Sequence, residues 1–98
     1  YSCTWFNKLI QKKWFRDEVK KRMLDLSDEL KSLYSDISSK ALEIQIAGDR
    51  NMVFWNLYGN YFGYCSGQVS ANLHSWQEHL DFLLGWMDER WNWMLENL

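Results

Sequence analysis

The sequence predicts an all-α fold: a short N-terminal helix and three long helices in an up-down helical bundle, with a glycine- and aromatic-rich loop before the last helix. Three observations predict it. The 98 residues contain no proline, the residue that most strongly breaks a helix interior. Apolar residues recur at spacings of three and four over long stretches, while the alternation of a strand is scarce. Seven Trp, five Phe and five Tyr supply the large apolar area that a domain this small needs to hold a core. That supply exceeds what a small bundle needs, so part of it is expected to cover something outside the bundle.

The length fits one domain or part of one, and residues 1–98 read as a single helical subdomain with a loop insertion at 57–73. Residues 4–10 form the short first helix, with Trp5, Phe6, Leu9 and Ile10 clustered on one side. The first long helix begins near Lys13, where Phe15, Val19, Met23, Leu26, Leu30 and Leu33 make one continuous apolar stripe. Its opposite face is charged, and Asp17 with Lys21 makes a favourable pair one turn apart. Residues 34–36 break the pattern, and Ser35 or Asp36 can cap a new helix. This second long helix is expected over 36–58. Ile37, Ala41, Ile44, Gly48 and Trp55 line one stripe, and Leu42, Ile46 and Val53 line another beside it. Two adjacent apolar faces suggest a central position in the bundle. Gly48 costs about 1 kcal/mol against Ala in a helix interior, so it is expected to permit a close crossing or to mark a kink.

Residues 59–73 carry three glycines among Tyr and Phe. Glycine at this density disfavours regular helix, and the aromatics suggest a packed loop. Ser75-Trp76-Gln77-Glu78 then fits a capping box, Ser at the cap and Glu three residues on. The final helix is expected over 76–96. Leu80, Leu83, Met87, Met94 and Leu98 mark one stripe, Phe82, Trp86 and Trp93 a second, and Trp76 and Trp91 the flanks. It is too apolar all round to leave one half wet.

The net charge of −2 is unevenly placed: residues 1–40 hold nine basic and six acidic side chains, residues 41–98 two basic and seven acidic. Solvated helix faces explain this most simply, although a basic front can also meet an acidic partner. No apolar run is long enough for a membrane span, and no membrane partner is expected. Lys8, Lys12, Lys13, Arg16 and Lys20 lack the spaced aromatics of a nucleic-acid groove, so no nucleic acid is expected. Without an initiating Met the chain reads as an excised fragment. Cys3 and Cys65 can pair, as would suit a secreted protein, or stand as two partly buried free thiols; a single bridge is not a disulfide framework.

Catalytic chemistry is scarcely represented, and no catalytic, cofactor-binding or metal-ligating residue is assigned. His74 and His79 are five apart, on different helical faces, a spacing that zinc sites do not favour. Asp88 and Glu89 are neighbours that point apart. The serines lie at caps and in linkers, and no glycine-rich loop follows a strand.

The opening Trp5-Phe6-Asn7-Lys8-Leu9-Ile10, then Trp14-Phe15-Arg16-Asp17-Glu18-Val19, Arg22 and Leu26, resembles the late part of spore coat protein H (CotH) kinase-like domains. Ile37, Ile44, Ala47, Arg50, Asn51 and Trp55 resemble that family's next helix, where an Arg-Asn pair precedes a Trp. Ser75-Trp76-Gln77-Glu78, Leu83, Trp86-Met87, Arg90 and Trp93-Met94 resemble its closing helix. The likeness spans the chain apart from 57–73.

The resemblance implies the C-terminal helical subdomain of an atypical ATP-dependent protein kinase, bacterial, in a spore coat, at the cell surface or secreted. It implies that ATP and a divalent metal act in an upstream kinase-like core, which would be this segment's partner, and that the segment alone is inactive. Asp49-Arg50-Asn51 are adjacent residues and do not match the core's Asp-Arg-x-x-x-Asn spacing. What carries over is structural: Trp5, Phe15, Arg22, Arg50, Trp55, Arg90 and Trp93 as framework positions, with the arginines paired to carboxylates such as Asp25 or Glu43. The alternative is a free-standing helical protein-protein interaction module, able to form a homo-oligomer through its aromatics.

Overall fold

A computed structural model of the chain describes residues 4–61 and 67–98. Those residues are all-α, without a strand: α1 Thr4–Ile10, α2 Lys13–Asp25, α3 Ser27–Phe54, the single turn α4 Gly67–Ser70, and α5 Trp76–Asn97. Cys3 and Cys65 lie outside the described residues.

α1 ends in a tight turn in which Lys12 N–H donates to the Leu9 carbonyl at 2.8 Å. The Arg16 guanidinium reaches back to the Ile10 carbonyl, also at 2.8 Å, satisfying one of the acceptors that a helix C-terminus leaves open. The turn folds α1 onto α2 through an edge-to-face contact of Phe6 and Phe15, 6.1 Å between centroids. On α2, Asp17 pairs with Lys13 at 2.6 Å rather than with Lys21.

The expected break at residues 34–36 is absent. The helix is interrupted instead at Leu26, whose φ of −96° and ψ of 9° lie just outside helical values. Helical bonding nearly continues across the interruption, from Leu26 N–H to Arg22 and from Leu30 N–H to Leu26. Ser32 and Ser38 turn their hydroxyls onto the Glu29 and Tyr34 carbonyls. Serines that bond backward in this way sit within a helix instead of starting one.

α3 stops at Phe54, four residues short of the expected end. Asn56 takes a left-handed φ of 52°, which asparagine tolerates better than most residues. Its N–H bonds the Val53 carbonyl while Leu57 N–H bonds that of Met52, the paired geometry of a Schellman stop.

α3 and α5 form the main tertiary contact and run antiparallel, with Trp76 against Ala41 at one end and Met94 near Leu30 at the other. The chain is open. Met23, at 9% exposure, is the one apolar side chain buried among the described residues. The radius of gyration is 17.3 Å, against about 12.6 Å for a compact chain of this length.

Candidate interaction surface

The α3–α5 junction is the best-built part of the molecule. Ser75 Oγ accepts from the Glu78 N–H at 3.1 Å, as a capping box requires. The Glu78 carboxylate, however, takes the His74 N–H at 2.6 Å, one residue earlier than the expected Ser75 N–H. The Trp76 N–H, another open donor of the first turn, lies near the Tyr58 oxygen, and the Tyr58 hydroxyl donates to Asp49 Oδ1. Burial and the Asp49 carboxylate push the Tyr58 hydroxyl up to about 12. The Trp76 indole N–H donates to the Ala41 carbonyl at 3.1 Å. Gly59 N–H holds Leu73 O at 2.8 Å, which closes the intervening loop at its ends. Tyr61 in that loop stands exposed rather than packed.

His79 lies beside Tyr58, with rings 5.9 Å apart. Burial holds its pKa below the ordinary histidine value, with Glu78 acting in the opposite direction. Asp49, Tyr58, Trp76 and His79 thus fasten two helices and a loop together. Sequence periodicity does not reveal this cluster, because Tyr58 lies beyond the stop of α3.

Away from the junction, apolar side chains face outward. Leu42, Ile46 and Val53 on α3 are 73, 72 and 68% exposed, so the second apolar stripe of α3 does not make that helix central. Phe54 and Trp55 extend the patch, stacked edge-to-face at 4.9 Å. Phe82, Trp86 and Trp93 form an outer stripe on α5, with both tryptophans 52% exposed. The chain's accessible surface is 7939 Å², whereas a compact monomer of this mass exposes about 5,900 Å². Exposed apolar area of this extent marks surfaces that something covers.

The framework positions are scattered over these surfaces. Arg90 lies over the Trp93 ring, 4.5 Å from its centroid. Trp5 and Trp55 are exposed, as are Arg22 and Arg50, and Phe15 is half-buried against Phe6. The expected arginine–carboxylate pairs do not form: the ion pairs among the described residues are Lys13–Asp17 and Lys40–Glu43. Glu43 is therefore taken by a lysine one turn away, and Arg90 by an indole. Among the described residues no three His, Cys, Asp or Glu side chains gather as a metal site would require, and no helix is long and apolar enough to cross a membrane. No family model, curated protein or solved structure matches the chain.

Proposed function

We propose that this chain is the C-terminal helical subdomain of a CotH-like, ATP-dependent protein kinase, bracing a catalytic core rather than carrying chemistry. The observation that carries the reading is the outer face of α3, where Leu42, Ile46 and Val53 lie open to solvent along a helix whose other face is packed on α5. An apolar stripe of this kind on a rigid helix suits burial against a larger domain. The order and spacing of the Trp, Arg and Asn residues are what the resemblance to the family rests on. ATP and the divalent metal belong to the core in this reading. Asp49 does not fit either, since it is adjacent to Arg50 and Asn51 on one helix and accepts a bond from Tyr58. The setting that goes with the reading is a bacterial spore coat, cell surface or secretion.

Phosphotransfer by the core joined to residues 1–98, by the core alone and by residues 1–98 alone tests the proposal. Activity is expected only from the joined protein. A core that keeps full activity and stability without this segment would refute it.

A second reading, a free-standing interaction module, draws on a groove of about 210 Å³ between α3 and α5. Leu30, Leu33, Tyr34, Met87, Trp91 and Met94 line it, a composition suited to an apolar helix.

A further inference from the structure

The molecule carries two aromatic faces of opposite charge. On one, the rings of Trp5, Phe6, Phe15 and Trp14 follow each other edge-to-face at 6.1, 6.1 and 5.7 Å. Trp5 and Trp14, at its two ends, are 66 and 60% exposed. Over residues 4–25 seven basic side chains face three acidic ones, and Lys8, Lys12 and Lys13 crowd the turn between the two tryptophans. On the other face, the α5 stripe of Phe82, Trp86 and Trp93 belongs to a helix with five acidic residues and one basic, of which Glu89 and Glu96 fall on the stripe's side and Arg90 lies over the Trp93 ring. Glu89 lies one turn from both Trp86 and Trp93.

We propose that two copies of the chain pair reciprocally, the basic Trp5–Trp14 face of each seated on the acidic Trp86–Trp93 face of the other. Opposite charge on two apolar faces of one chain makes the chain complementary to itself, and a two-fold arrangement uses both faces twice and closes. Area permits it: a standard interface takes about 800 Å² from each partner, well within the surplus this chain exposes. The outer stripe of α3 is left free, so the pairing goes beyond the kinase-like reading and does not rest on it.

Light scattering and sedimentation of the 98-residue chain at low and high salt test the pairing. The expected result is a species of twice the 11.9 kDa chain mass, weakened by salt. Reversing charge on either face, as Lys8→Glu with Lys12→Glu or as Glu89→Lys with Glu96→Lys, weakens it roughly tenfold or more. All four side chains are exposed, so the variants keep the fold. Mixing the two variants restores dimers, because each face then meets an opposite charge. A monomer at every concentration in low salt overturns the proposal. So does a dimer indifferent to salt and to both reversals, or a mixture of variants that stays monomeric.

Discussion

The Trp76 indole occupies the space that a side chain at Gly48 would fill: a Cβ built there lies 2.3 Å from Cζ3 and 2.5 Å from Cη2 of that ring. Glycine at this point in α3 is thus a packing requirement, and the expected close approach is made by a side chain of α5 rather than by its backbone. Gly48→Ala gains about 1 kcal/mol of helix propensity but displaces an indole already fixed by its bond to Ala41. Overpacking costs typically about 1–3 kcal/mol, so the net effect is destabilising. A lower urea midpoint with an unchanged slope is the expected readout, and a higher midpoint would mean that Trp76 moves freely.

Gly85 is the opposite case. It lies inside α5, and a Cβ there meets nothing within 4 Å. Gly85→Ala therefore keeps the propensity gain and stabilises the chain by up to about 1 kcal/mol. Thermal melting of the two alanine variants side by side shows shifts of opposite sign.

Tyr58→Phe removes the hydroxyl's bond to Asp49 Oδ1 and the oxygen that lies near the Trp76 N–H. The loss expected is about 1 kcal/mol. It shows in hydrogen exchange as faster opening of the first turn of α5, with the middle of α3 less affected. Uniform acceleration along both helices would instead mean that the cluster is not a local fastening.

Stability is expected to depend on pH through His79. Burial lowers its folded pKa below the unfolded value of 6.5, so between the two values the unfolded chain binds more protons. Stability then rises with pH in that window. It is fully present above the unfolded pKa and is lost as pH falls through the folded one. The urea midpoint at mildly acidic pH should lie below that at neutral pH, and His79→Gln should narrow the difference. An undiminished difference in the variant would assign the dependence to other groups.

The bounds of α1 and the start of α5 are legible in sequence because local chemistry sets them: an aromatic cluster of helical spacing for the first, Ser75 and Glu78 for the second. The interruption at Leu26 is not legible. Leu26 continues the apolar stripe and is neither Gly nor Pro, and the departure from helix there is only a few tens of degrees in backbone angle. On either side of the expected break at 34–36, Ser32 and Ser38 bond backward within the helix, and a serine hydroxyl serves a cap and a helix interior by the same kind of bond to the backbone. Periodicity also identifies apolar faces without saying what covers them. Leu42, Ile46 and Val53 therefore look like core in the sequence and stand open in the fold.

That openness separates two roles for the same residues. A core residue changed to a charge unfolds its own chain, whereas an interface residue changed to a charge unfolds nothing until its partner is present. Ile46 is 72% exposed, so Ile46→Glu should shift the stability of the 98-residue chain by no more than about 0.5 kcal/mol. Set against a larger domain, the same carboxylate becomes a buried, unpaired charge, which costs several kcal/mol. Joined to the kinase-like core we propose, the variant should therefore lose melting temperature and phosphotransfer together, while Leu24→Glu, on an exposed leucine of α2 outside this stripe, should lose neither. A variant as stable in the joined protein as in the isolated chain would show that the outer face of α3 meets solvent in both.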